Sequence, residues 1–154
     1  MNTGLANDVK LLARIAMQTV KTACEDGGDV SEAFKKGIKK SVEQNVYGVY
    51  SPSVYTRRGD GGGLSDKGNL RCSFQNATDM SFELKIEDWT PGNPDILGSR
   101  SWGSDHVSDI VEEGTYGSMW PNPMMGNARP YMEEGADMGE GDADAAAQAI
   151  LNMF

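Results

Sequence analysis

The spacing of apolar residues changes once along this chain, from a helical period to strict alternation, and that change restricts the chain to folds that mix helices with strands. Leu5, Val9, Leu12 and Val20 recur at the three- to four-residue spacing of one helix face. Between residues 70 and 87, apolar and polar residues instead alternate, as they do in strands with one buried face. The sequence therefore predicts an α+β fold.

Two amphipathic helices are predicted before the strands. The first covers Leu5 to Ala23 and is stopped by Gly27 and Gly28. Asp29 and Glu32 have the spacing of a capping box that opens the second helix. A lysine-rich outer face on the second helix could contact nucleic-acid phosphates, although such faces are more commonly solvated. The apolar stripe of this helix consists of Val30, Phe34, Ile38 and Val42, and its outer face of Lys35, Lys36, Lys39 and Lys40.

A β-hairpin is predicted where the alternation occurs, with its turn at residues 76–79. Cys72, on the apolar face, and Cys24, near a helix end, are interpreted as small core residues. Neither has a second histidine or an acid at a spacing typical of a nucleophile. The apolar faces of the two strands are formed by Leu70, Cys72 and Phe74 and by Phe82, Leu84 and Ile86.

Glycine positions shape the remaining expectations. The segment Gly59–Asn69 holds five glycines and little that could pack, so we expect a long, exposed loop that stays mobile unless a partner holds it. Pro130 suits the first turn of a C-terminal helix whose middle is weakened by glycines, with Asp142 or Asp144 starting its final part. The predicted architecture is an antiparallel sheet packed by N-terminal helices and a C-terminal helix, with long Gly-rich loops, in a single domain covering residues 1–154.

Composition excludes several classes of protein. Two cysteines cannot form a disulfide framework or a four-cysteine zinc site, and one histidine excludes His-rich metal chemistry. No apolar run approaches the roughly 18 residues that cross a bilayer. The start, MNTGLANDVKLLAR, carries an acid where a signal peptide has only basic residues. We therefore expect neither a membrane protein nor one exported by that route, and no bound cofactor.

Charge is divided unevenly between the two halves of the chain. Residues 1–71 carry 11 Lys and Arg against 8 Asp and Glu, whereas residues 72–154 carry 3 against 15. Such a split permits head-to-tail association, in which the basic face of one copy meets the acidic face of the next. A heterologous contact of this kind closes into a ring when its rotation allows. A solvated surface with an acidic tail is the alternative.

Two short motifs carry a resemblance to a known family. Glu112, Gly114 and Thr115 form a Glu-x-Gly-Thr turn, and Arg129, Pro130 and Tyr131 form an Arg-Pro-aromatic step into the last helix. In this order, after the Leu70–Ser73 strand and the hairpin, they resemble the gene-10-product family of tail components of long-tailed siphovirus bacteriophages. Members of that family are neck or tail-completion proteins at the head-to-tail junction. The resemblance implies structural roles for these six residues and no catalytic residue.

The same resemblance implies how the protein would act. Copies would form a sixfold ring between the head-closure or connector proteins and the tail tube protein, in a virion assembled in the host cytoplasm. Genomic DNA would pass through the lumen without sequence-specific binding, and the acidic half of the chain would suit that lumen. Mobile loops would order on neighbouring copies. The candidate inter-subunit loop consists of Arg57, Arg58, Gly61, Gly62, Gly63 and Leu64.

Two other classes of function remain as alternatives. A metal-dependent hydrolase would require acids and one histidine that are scattered over loops and helix caps to converge on one ion. A capsid-decoration or other minor capsid binding protein would share the composition without requiring the two motifs. The hydrolase ligands would come from Asp105, His106, Asp109, Asp142 and Asp144.

Overall fold

The structure is a computed structural model that describes residues 3–49, 58–78, 81–91, 111–112 and 129–154. Within these residues the chain forms three α-helices and one antiparallel hairpin, so the predicted α+β class is confirmed. The elements are α1 (Thr3–Cys24), α2 (Asp29–Ser41), β1 (Leu70–Gln75), β2 (Glu83–Asp88) and α3 (Tyr131–Leu151), with a π-helical turn at Val42–Tyr47 and a 3₁₀ turn at Lys67–Asn69.

The junction between α1 and α2 follows the glycine signal but not the predicted cap. Gly27 takes a φ of 85°, which reverses the chain after α1, as its sequence position predicts. The capping-box prediction is wrong, because Gly28 is the N-cap residue and no side chain caps α2. Ser31 instead donates its hydroxyl to the Glu25 carbonyl oxygen at 2.6 Å and so ties the first turn of α2 to the preceding loop.

The hairpin forms as predicted. β1 and β2 pair in register from Leu70 opposite Asp88 to Gln75 opposite Glu83. Exposure alternates along both strands, and the inward face packs against the helices. The rings of Phe74 and Phe82 meet edge to face, with centroids 5.2 Å apart.

The closest packing in the fold is the crossing of α2 and α3. A Cβ atom on Gly37 would lie 2.5 Å from the backbone N of Gly139, and a Cβ on Gly139 would lie 2.8 Å from the Phe34 Cα. Gly135 is also buried and in backbone contact with Ile38. Small residues spaced by four let two helix backbones approach this closely. Helix α3 is continuous from Tyr131 to Leu151, so the expected second start at Asp142 or Asp144 is wrong.

Two clusters of buried side chains make up the described core. The first joins α2, the π-helical turn, the loop before β1 and the start of α3, and the second joins the ends of α1 and α3 to α2 and the hairpin. Cys24 lies in the second cluster, as its interpretation as a core residue requires. The buried members are Ile38, Val42, Val46, Leu64, Leu70 and Tyr131 in the first cluster, and Cys24, Val30 and Ala143 in the second.

Among the described residues, none of the helices combines the length and the apolar character needed to cross a bilayer.

Candidate functional site

The start of α3 is fastened to the end of the hairpin by a buried polar network. Tyr131 is fully buried and donates its hydroxyl to Asp88 Oδ2 at 2.7 Å. The other carboxylate oxygen of Asp88 accepts the Thr90 hydroxyl at 2.5 Å and the Thr90 backbone N–H at 2.8 Å. Asn69 donates to the Thr90 hydroxyl oxygen at 3.2 Å. A buried carboxylate needs such partners, and here they fix where α3 meets the sheet.

Glu112 caps α3 from a distant part of the chain. Its Oε1 atom accepts the backbone N–H of Met132 at 2.5 Å, one of the donors that a helix N-terminus leaves unpaired. Next to it, the Arg129 N–H donates to the Val111 carbonyl oxygen at 2.9 Å. Burial raises the pKa of the Glu112 carboxyl above its ordinary value, against the lowering effect of the Met132 hydrogen bond. The nearby carboxylates of Asp88, Glu133 and Glu134 also raise it.

The structure therefore brings together the described members of the two predicted motifs. Glu112 contacts the first turn of α3, Pro130 is its N-cap residue and Tyr131 is its buried first residue. Gly114 and Thr115 lie outside the described residues. Asp88 and Thr90 complete the junction, and sequence reasoning missed both, because the only local signal was an acid at the end of a strand.

The Gly-rich loop is folded rather than exposed. Gly63, Leu64 and Ser65 are buried, and Leu64 belongs to the first core cluster. The Asp66 carboxylate accepts the N–H of Gly62 at 2.8 Å and the N–H of Gly68 at 2.9 Å, which closes the loop on itself. The expectation that the whole loop is exposed is therefore wrong. One apolar side chain and one carboxylate offset the backbone entropy of the glycines.

Contacts with other parts of the chain also hold this loop. Arg58 donates to the Pro91 carbonyl oxygen at 2.6 Å, and Asp60 pairs with Lys39 at 2.7 Å. Of the candidate inter-subunit residues, Arg58 and Gly61 are exposed and Gly62 is half-buried, whereas Gly63 and Leu64 face the interior of the chain. Arg57 lies outside the described residues. An inter-subunit role for the exposed part of the loop stays a prediction.

Three of the four lysines predicted on the outside of α2 are paired with carboxylates. Lys35 is buried and lies 3.0 Å from Asp26, so its predicted place on the outer face is wrong. Lys36 pairs with Asp142 at 3.5 Å, in addition to the Lys39 pair with Asp60. A lysine that is already paired with a carboxylate attracts nucleic-acid phosphates less strongly.

Neither thiol has the environment of a nucleophile. Burial raises the pKa of Cys24, and it raises the pKa of Cys72 to about 11, far above the value of an activated cysteine. In the part of the chain that the structure describes, no three His, Cys, Asp or Glu side chains are grouped to hold a metal. Asp142 and Asp144 are exposed on α3. The other hydrolase ligands considered above, Asp105, His106 and Asp109, lie outside the described residues.

The N-terminal half of α1 presents large apolar side chains to solvent. Residues 4–15 are all exposed, whereas the same helix is half-buried or buried near Val20, Ala23 and Cys24. Apolar residues lie on more than one side of this half, a pattern typical of a helix enclosed by other elements. Its large apolar side chains are between 44% and 63% exposed: Leu5, Val9, Leu11, Leu12 and Ile15.

Comparison with known families gives a match that covers most of the chain. The model of the YomN family matches residues 6–149. Neither a curated protein nor a solved structure matches the chain.

Proposed function

The chain belongs to the YomN family, which is of bacteriophage origin, and from this premise we propose that it is a structural protein of the virion. The family match supports the phage origin expected from the sequence. Within the virion we propose the head-to-tail junction, where six copies form a ring that joins or terminates the tail. Its role there is assembly rather than catalysis, between the connector or head-closure proteins and the tail tube protein.

The observation that carries this proposal is the exposed N-terminal half of α1. A protein that works alone rarely leaves several large apolar side chains in water along three helical turns, because burying each one would contribute about 1.5–3 kcal/mol. A subunit of an assembly covers them with its neighbours. The hydrogen-bonded junction of α3 with the hairpin fits the same role, because its buried polar groups hold the two elements together and do not form a reaction centre.

Charge supports the proposal that DNA passes through the ring without binding to it. Helix α3 carries six acids and no Lys or Arg, and most of these acids are exposed. A channel lined by such a surface would repel phosphates and let DNA slide without binding. Paired lysines on α2 add little attraction. We therefore propose that α3 faces the channel or a subunit boundary next to it.

Location within the particle tests the proposal. Mass spectrometry of purified virions that encode this chain is expected to detect it, and cryo-electron microscopy is expected to locate it at the junction as a ring. Gold-labelled antibodies spread over the capsid faces would instead support a capsid-decoration protein. Absence from purified virions would overturn the structural role altogether.

A further inference from the structure

The exposed half of α1, which we call the arm (residues 4–15), carries two cations that form no ion pair with the described residues. Among the described residues, the ion pairs involve Lys35, Lys36, Lys39, Lys67 and Lys85, and none involves Lys10 or Arg14. Both are exposed and lie four residues apart on one side of the helix. Two like charges in this position repel each other, so a carboxylate partner would relieve the repulsion.

The exposed side of α3 carries the opposite pattern. Asp137, Glu140 and Asp144 form an exposed row, and within the described part of the chain no ion pair includes them. Beside this row runs a stripe of small or apolar residues. Met138 is 40% exposed, and a Cβ atom added to Gly141 would meet nothing within 4 Å, so this stripe is open to another helix. Ala145 continues it.

The two helices match in rotation as well as in charge. At about 100° per residue, Leu11 and Ile15 on the arm lie about 100° round the helix from the Lys10 and Arg14 row. On α3 the stripe of Met138, Gly141 and Ala145 lies about 100° from its acidic row, in the same rotational sense. When two such helices pack face to face and run antiparallel, their charged rows fall on the same side. A parallel arrangement would place them on opposite sides.

From this match we propose that the arm of one copy docks antiparallel on the exposed side of α3 of a second copy. Leu11 and Ile15 pack on the small stripe, Lys10 lies near Asp144, and Arg14 lies near Asp137 and Glu140. The opposite side of the arm, with Leu5, Val9 and Leu12, continues the stripe that packs into the arm's own chain at Val20 and Ala23. The contact joins unlike surfaces, so repeating it produces a ring or a filament rather than a closed pair.

This inference rests on the proposed function only in requiring contacts between copies, and it names the surfaces that make them. Charge reversal tests it on the full chain. Lys10→Glu with Arg14→Glu, or Asp137→Lys with Asp144→Lys, is expected to weaken self-association at low salt at least tenfold. Both pairs combined in one chain restore the match and the original net charge. That variant is expected to associate within about threefold of the wild type.

Analytical ultracentrifugation gives the association constants, and circular dichroism checks that each variant keeps its helices. All four positions are exposed, so the substitutions leave the core intact. Lys40→Glu, on an exposed position of α2, is the control and should associate like the wild type. A chain that stays monomeric at every concentration, or an assembly that neither reversal weakens, would overturn the proposal.

Cysteine cross-linking distinguishes the surfaces. A Leu11→Cys chain mixed with an Ala145→Cys chain is expected to form a disulfide-linked pair under mild oxidation. Leu11→Cys alone should not, and efficient self-linking there would overturn the proposal in favour of arm-to-arm contact. If the chain is found in virions while these tests fail, only this inference falls. If they succeed but virions lack the chain, only the proposed function falls.

Discussion

Asp88 sets the position of the C-terminal helix because its carboxylate accepts hydrogen bonds from both Tyr131 and Thr90. The sequence motif identified Tyr131 as a structural residue, since an Arg-Pro-aromatic step precedes a helix. It could not identify Asp88, because an acid that follows an alternating strand is normally solvated. The partner is determined by tertiary packing, which brings residues 43 positions apart into contact.

Glu112 provides a prediction about charge at the same junction. Its folded-state pKa is raised, so its contribution to stability is full below the ordinary Glu pKa of about 4.3 and is lost as the pH rises through the folded value. Glu112→Gln keeps an oxygen acceptor for the Met132 N–H and removes the buried charge. At pH 7 this variant should be at least as stable as the wild type to urea, and the difference should shrink as the pH falls to 4.

Glu112→Ala is the matched variant, because it removes the acceptor as well as the charge. It should cost about 0.5–2 kcal/mol, the usual effect of losing a helix N-terminal cap. A glutamine variant less stable than the wild type at pH 7 would mean that the carboxylate hydrogen bond outweighs the cost of burial.

At the scale of whole elements, local patterns predicted the hairpin well and the glycine-containing segments poorly. Alternation is a property of neighbouring residues, so both strands could be read directly from the sequence. For α3, helix propensity gives each glycine a cost of about 1 kcal/mol and so predicts a break. Gly135 and Gly139 instead allow α2, which is distant in sequence, to approach α3 closely. In the Gly-rich loop, burial of Leu64 in the first core cluster likewise depends on residues that are distant in sequence, so the local pattern did not predict it.

The glycines of α3 provide a prediction with an internal control. Gly135→Ala and Gly139→Ala should each destabilise the chain by about 1–3 kcal/mol, since the added methyl group meets the backbone of α2. Gly141→Ala should stabilise it by about 0.5–1 kcal/mol, because that position is open and alanine favours the helix. Urea midpoints at constant m-value measure the changes. Equal stabilisation at all three positions would show that the crossing is not tight.

For the whole molecule, the expectation of a single domain remains a prediction, and the core gives it a physical basis. Helices α2 and α3 contribute side chains to both core clusters, so we expect the two clusters to open together. The charge difference between the two halves was visible in the sequence, but the pairing of individual charges in the fold was not. Several lysines of the basic half are neutralised within the chain, whereas Lys10 and Arg14 of the arm form no ion pair with the described residues.

Cooperativity between the clusters can be measured through Cys24, which is buried in the second one. In a Cys72→Ser background, Leu70→Ala in the first cluster should cost about 2–5 kcal/mol. If both clusters unfold together, labelling of Cys24 by a thiol reagent should speed up at least about thirtyfold, which corresponds to about 2 kcal/mol. An unchanged labelling rate, with stability lowered elsewhere, would mean that the two clusters open independently.

The Asp26 carboxylate, which connects the helices to the hairpin, makes their contact sensitive to acid. Asp26 follows α1, pairs with Lys35 of α2 and accepts the Cys72 N–H of β1 at 2.9 Å. Burial works to raise the pKa of Asp26, but these bonds together lower it, so its contribution holds at neutral pH and disappears as the pH falls through the lowered value. Protonation of Asp26 therefore weakens its contacts with α2 and β1 together. The protection factor of the Cys72 amide hydrogen, which corrects for the slower intrinsic exchange in acid, should fall first under strong acidification, before the start of α3 loosens.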